Sequence, residues 1–359
     1  MTALAEHLRA RIHANGPISV ADYMAECLLH PQHGYYSTRD PFGARGDFTT
    51  APEISQMFGE LLGLCLAQTW LDQGAPTRFT LAELGPGRGT LMADVLRATK
   101  AVPGFHAAAE VVMVEASPTL RQVQAETLSR QQGRAPRWVE NVDDLPEQPL
   151  FLLANEFFDA LPIHQFQRNG ADWRQRMVGL NGDQLTFLLS GPVNPATIGQ
   201  RFQTDPDGTI IEICPKAWTI ATTLGHRLHH FGGAALIIDY GGWRSKGDTL
   251  QALRDHRFEH PLANPGEADL TAHVDFEALA DRINLARSGL TDQGALLHRL
   301  GIATRSARLA DKLSGAALEN HLAAYHRLTD PAEMGSLFKA IAFHAPNTPA
   351  PPGFDPYHA

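Results

Sequence analysis

The run FTLAELGPGRGTLMADVLRATK, residues 79–100, constrains the fold more than any other part of the chain. An apolar stretch from Phe79 to Leu84 meets three glycines, Gly85, Gly87 and Gly89. A helical pattern follows at once, with Leu91, Met92, Val95 and Leu96 on one face. Strand, glycine turn and helix in that order let a nucleotide-like ligand lie against bare backbone. A Cβ would block both the tight turn and the ligand's approach.

Spacing narrows the ligand. Dinucleotide folds favour GxGxxG, whose last glycine packs helix against strand. Here the order is Glu83-x-Gly85-x-Gly87-x-Gly89, with Thr90 where that last glycine would fall. An acid opening such a run resembles the first motif of class I S-adenosyl-L-methionine (SAM) methyltransferases. Glycine-rich turns alone also join elements that bind nothing. The run EVVMVE, Glu110–Glu115, supplies a second strand that ends in an acid. Ser117 and Pro118 then open a helix as N-cap and first residue. Glu115 so placed can accept hydrogen bonds from both ribose hydroxyls. Together the two runs favour SAM over NAD.

At 359 residues and 43% hydrophobic, the chain can bury a large core. A net charge of −9 argues against nucleic acid as a partner. No apolar run is long enough for membrane insertion, and the start lacks a signal or transit pattern. On that ground the expected location is the cytoplasm. Cys27, Cys65 and Cys214 are widely spaced among apolar residues and read as buried thiols.

Along the chain, residues 1–75 read as a helical N-terminal extension, with helices through Leu4–Ile12, from Ser19 to about Leu29, and over Ile54–Leu71. Strands are expected at Phe79–Leu84, Val111–Val114, Arg137–Val139, Leu150–Ala154 and Ala234–Asp239, with helices at Leu120–Gln131 and Lys216–Phe231. That alternation predicts a doubly wound parallel α/β sheet over residues 76–345. Phe338–His344 is expected as an antiparallel edge strand. Insertions fall at about 163–213, where Asn181-Gly182 signals a hairpin, and 243–270. Residues 346–359 read as an irregular proline-rich tail.

Further runs place polar groups where a ligand crevice belongs. FLLANEFFDALP (151–162) leads a buried strand into Asn155, Glu156 and Asp159. Acids there suit a cationic substrate, above all a guanidinium, whose fork of donors matches carboxylates. Asn155 and Glu156 would serve equally as a cap, and Asp159 as a turn before Pro162. RGDFTTAPEISQMFGE (45–60) clusters Asp47, Thr49, Thr50 and Glu53 at a helix start that Thr50 can cap. LIIDYGG (236–242) ends a strand in Asp239 and Tyr240. DLTAHVDF (269–276) offers His273, either a proton relay or a structural histidine, and Asp275. The pairs His226/His230 and His256/His260 lack companion ligands, and no metal is expected.

In combination, these runs and GDTLQALRDHRFEHPLANPGEADLTAHVDF (247–276) resemble the MidA family, over residues 15 to 345. The resemblance implies a class I SAM-methyltransferase (Rossmann-like) fold with helical N-terminal extension and inserted antiparallel segments. It implies SAM as methyl donor and a protein substrate, symmetrically dimethylated on an arginine of a respiratory complex I core subunit. Set beside the missing leader of a mitochondrial member, it implies a bacterial cytoplasmic one. Within that frame Gly85, Gly87, Gly89, Glu83, Glu115, Ser117, Asn141, Val142 and Asn155 are the expected cofactor contacts. Glu156, with Asp159 or Asp47, would hold the guanidinium, and His273 or water would take the proton. Two other readings share the glycine turn, an NAD-dependent oxidoreductase and a non-catalytic assembly chaperone.

Overall fold

The computed structural model describes residues 2–38, 49–130 and 135–357. Six strands form the backbone of its central sheet: β1 (Phe79–Leu84), β2 (Ala109–Val114), β3 (Arg137–Val139), β4 (Leu150–Asn155), β5 (Gly233–Gly242) and β6 (Phe338–His344). Their order is β3-β2-β1-β4-β5-β6. All pairs are parallel except β5 with β6, the expected antiparallel strand. Short strands at Ala286–Arg287 and Thr291–Asp292 add to β6, and Val274–Asp275 adds to β5. Every residue of β1 and β4 is buried, as strands covered on both faces must be.

One face packs against α3 (Gln56–Asp72) and α4 (Thr90–Thr99), the other against α6 (Pro215–Phe231) and α7 (Phe276–Ile283). The helices α3 and α4 meet closely because Gly59 and Gly63 face them, where a Cβ would stand 2.6 Å from Asp94 Cβ and 2.9 Å from Val95 Cα. From β1 the chain winds outward through β2 and β3, then returns to place β4 on the other side of β1. That reversal opens a crevice beyond the carboxyl ends of β1 and β4.

The N-terminal helices α1 (Ala3–Asn15) and α2 (Val20–Leu29) form as their patterns predict. Leu4, Leu8 and Ile12 are buried, and Ser19 caps α2 in a reciprocal box with Asp22. Ile18–Ser19 also pairs with Val178–Met177 of an antiparallel sheet built from 164–169, 172–181, 184–192 and 210–213. The N-terminal section is thereby tied to the inserted segment. The hairpin turn sits one residue later than expected, with Asn181 paired to Gln184 and Gly182 at φ 58° as the first turn residue. Glycine first is what a II′ turn takes.

The helix expected over Ile54–Leu71 is broken at Ser55, which is extended at φ −159° and caps α3 through Met57 N–H. Helices at 276–283, 293–299, 302–310 and α8 (Gly315–Thr329) were not expected. The proline-rich tail is irregular yet packed. Phe354 is buried, Arg299 pairs with Asp355 at 2.8 Å, and Pro352 C=O accepts from the Cys65 thiol. Among the described residues, no helix is long and apolar enough to cross a membrane.

Candidate active site

One cavity of about 790 Å³ occupies the crevice, lined by the glycine turn, Glu115, the loop after β3, the loop after β4, Tyr240, Asp269 and His273. Its two ends differ in chemistry.

At the first end, Gly85, Gly87 and Gly89 take φ of 59°, 53° and 80°, conformations that side chains resist. A Cβ on Gly85 would also lie 2.8 Å from the Phe157 ring. Glu83, at the end of β1, is buried, and its Oε2 has no hydrogen-bond partner. Burial holds its carboxyl well above the usual range, against the Met92 main-chain amide, with Glu115 and Asp94 adding to the rise. A buried, unpartnered acid beside bare backbone suits the ammonium of an amino-acid ligand. Glu115, at the end of β2, accepts from Ser117 N–H at 2.8 Å and Gln124 Nε2 at 3.0 Å. Burial still raises its pKa. Asn141 and Val142 line the cavity beyond β3, as expected, together with Asp143.

Among the expected contacts, Gly89 and Ser117 do not line the cavity; Gly89 is the N-cap of α4, and Ser117 is occupied elsewhere. The Ser117 hydroxyl accepts from Leu120 N–H and donates to Tyr36 C=O. Capping α5 (Pro118–Leu128) accounts for it fully. Gln124, on α5, gave no signal in the sequence. Its Nε2 reaches both Gly87 C=O, at 2.9 Å, and Glu115, while Trp138 Nε1 donates to its Oε1 at 2.8 Å. Thr90, in place of a dinucleotide-fold glycine, gives its hydroxyl to Glu53.

The second end is acidic. Asn155 closes β4, with Nδ2 donating to Glu156 Oε1 at 3.0 Å and Oδ1 unpartnered. Glu156 sits at φ 52°, a strained conformation for a side-chain-bearing residue. Its Oε1 accepts Ala51 N–H at 3.2 Å. This corrects the capping role expected of Thr50, whose side chain caps nothing. Burial raises Glu156 to about 7 despite those two donors. Asp159 is buried with Oδ1 unpartnered; burial, then Asp239, pushes its carboxyl well up. Asp239 is also raised, to about 8, by burial and by Glu156. It nonetheless accepts N–H groups from Phe157, Phe158, Asp159 and Tyr240, at 3.2, 2.9, 3.3 and 3.0 Å. Those donors favour its charged form, so of the coupled pair Asp159 keeps the proton.

Asp269, buried and bound to Tyr36 Oη at 2.7 Å, completes the acidic end. The run DLTAHVDF thus contributes its first acid; Asp275 instead caps α7 and pairs with Arg201. His273 lines the cavity beside the Tyr240 ring, and burial lowers its pKa, so the ring is neutral near pH 7. Asp47 lies outside the described residues.

Away from the cavity, among the described residues, His7, Glu26 and His30 bring ligand-type atoms within 4.8 Å. Arg11 holds Glu26 at 2.6 Å, and His30 Nδ1 accepts from Gln32 and His33 N–H. His30 Nδ1 and Glu26 Oε1 are thereby engaged within the protein, and the group carries no argument for a metal.

A family model for S-adenosyl-L-methionine-dependent methyltransferases matches residues 61–295. The human protein arginine methyltransferase NDUFAF7, mitochondrial, is 37% identical over 369 residues, covering 95% of this chain and 83% of that protein. The Drosophila melanogaster homolog is 38% identical over 374 residues, covering 95% and 84%. The chain belongs to the MidA family of SAM-dependent methyltransferases. A COG1565 superfamily member of Burkholderia thailandensis, solved with S-adenosyl-homocysteine bound, is 31% identical at a TM-score of 0.82, covering 95% of this chain and 92% of that one. A MidA-family enzyme uses SAM as its methyl donor, and the residues at the first end of the cavity fit it. The expectation of a bacterial cytoplasmic location is corrected here. The two curated relatives are mitochondrial by name, and where a sequence starts does not report its compartment.

Proposed function

We propose that the enzyme methylates a guanidinium nitrogen of arginine on a protein substrate, with the acidic end of the cavity as the acceptor site. The observation that carries this reading is Glu156, which shares one cavity with Glu83 and Glu115 and stands beside Asp159 and Asp269. When bound, SAM supplies an activated methyl on a sulfonium and leaves as S-adenosyl-homocysteine. Glu83 is assigned to the methionine ammonium, Glu115 to the ribose, and Asn141 and Val142 to the adenine. Asn155, between the two ends, orients Glu156.

An arginine side chain is a poor nucleophile, since its pKa exceeds ~12 and its lone pairs are delocalised. Glu156, ionised against the incoming cation, localises the guanidinium charge and leaves one nitrogen free to attack. That nitrogen gains the methyl and loses a proton, which passes to His273 Nδ1 or Nε2, or to water. Holding acceptor and donor in one cavity replaces much of the entropic barrier. The names of the relatives support arginine as the acceptor. The complex I core subunit implied by the family resemblance is the substrate we propose, with dimethylation as the product.

Mass spectrometry of that subunit after incubation with enzyme and SAM tests the reading. Methylated arginine from wild type, lost in Glu156→Gln, is expected. Methylation of lysine alone, or full transfer by Glu156→Gln, contradicts it.

A further inference from the structure

Three of the large apolar side chains left exposed line this same cavity: Leu29, Phe258 and Leu337, with 50%, 74% and 53% of their surface in water. Single exposed leucines need no explanation, but apolar groups gathered round a functional opening do. They come from the end of α2, from a hairpin at 251–259, and from the turn before β6.

The hairpin is the informative one. Asp255 and His256 turn it at φ 49° and 61°, and Phe258 stands opposite Leu253, itself a lining residue. Its other neighbour in the sheet is Asp269–Thr271, which brings Asp269 to the acidic end. One small sheet therefore carries both an apolar side chain at the opening and an acid beneath it.

We propose that Leu29, Phe258 and Leu337 form a docking rim for a peptide segment whose target arginine is flanked by apolar side chains. The inference rests on the arginine reading above and adds the sequence context of the acceptor. Charge complementarity selects the cation, since Glu156 and Asp269 line the same cavity as the rim. Apolar flanks then cover Phe258 and its neighbours, which removes water from above the ion pair and strengthens it.

Fluorescence anisotropy on the full chain with S-adenosyl-homocysteine present tests this. The probes are two labelled peptides of equal length with one central arginine, flanked by leucine and phenylalanine in one and by serine in the other. The apolar peptide is expected to bind about tenfold more tightly, or about 1.4 kcal/mol. The double variant Phe258→Ser/Leu337→Ser is expected to erase that preference while its S-adenosyl-homocysteine affinity stays unchanged. Equal binding of both peptides, binding of neither, or a preference that survives in the variant overturns the rim. A third peptide, with lysine replacing arginine between apolar flanks, separates the two readings. If it binds as well as the arginine peptide, and the variant weakens both, the rim stands and the arginine reading falls. A wild-type dimer that the double variant dissociates would assign the rim to a second copy and overturn the proposal.

Discussion

The Asp239 carboxylate accepts the Phe158 N–H at 2.9 Å, and the same oxygen gathers the N–H groups of Phe157 and Asp159. One side chain at the end of β5 thereby holds the turn that sets Glu156 at φ 52° and aims Asp159 into the cavity. Asp239→Asn keeps the shape but loses the charge and one acceptor. Transfer should fall on the order of 10²-fold, the cost of a misplaced reacting group, with cofactor affinity intact. Removing a neighbouring negative charge also lets Asp159 ionise at lower pH. The acid limb of the kcat/KM profile should move to lower pH, whereas a merely structural role would lower the rate and leave the limb in place.

Glu156 is raised to about 7 in the folded protein, against an ordinary carboxyl value near ~4.3 in the unfolded chain. For an acid shifted upward, the folded state binds protons more tightly than the unfolded one. Its contribution is fully present below the unfolded pKa and is lost as pH rises through about 7. Glu156→Gln removes the ionisation and keeps an oxygen for Ala51 N–H. The variant should be more stable than wild type at pH 8, by about 1–3 kcal/mol, and the gap should close towards pH 5. Denaturant melts at the two pH values check this; a gap that widens on acidification contradicts it.

Much of the fold was legible because its strands are short apolar runs punctuated by glycine or acid. Phe79–Leu84 and Phe338–His344 were placed to the residue, and the polar groups after β4 and β5 were recognised. The longest of the helices beyond Phe276 offered little pattern. Most of Gly315–Thr329 lies open to water and buries only Leu328 and Thr329 fully, so it carries little apolar period to read. Glu83, Glu115 and Glu156 line the cavity because their place at strand ends alone directs them to the crevice. Gln124 was missed, since one amide on an amphipathic helix gives no local signal; only the fold sets it against Gly87 and Glu115. Ser117 shows the reverse, a capping residue beside the cavity whose hydroxyl is taken up by Leu120 N–H and Tyr36 C=O. Asp269 was passed over for Asp275 because both lie in one run, and only the strand pairing separates cavity wall from helix cap.

Gln124 links the two halves of the expected nucleotide site through hydrogen bonds of 2.9 and 3.0 Å. Gln124→Leu removes both and leaves a buried carboxylate short of a donor. The loss should be about 1–3 kcal/mol, seen as an S-adenosyl-homocysteine affinity about five- to 150-fold weaker. Calorimetry reads it directly, and an unchanged affinity would show that Glu115 needs no such orientation.

The central claim is that one cavity holds two separable sites, the cofactor at Glu83 and the acceptor at Glu156. Titrating S-adenosyl-homocysteine into wild type, Glu83→Gln and Glu156→Gln, by calorimetry at neutral pH, tests it most directly. Glu83→Gln is isosteric and removes the charge facing the ammonium, so affinity should fall by about tenfold or more, the size of a charge-assisted hydrogen bond. Glu156→Gln should bind like wild type. Full affinity in Glu83→Gln together with its loss in Glu156→Gln would reverse the assignment of the two ends and contradict the account.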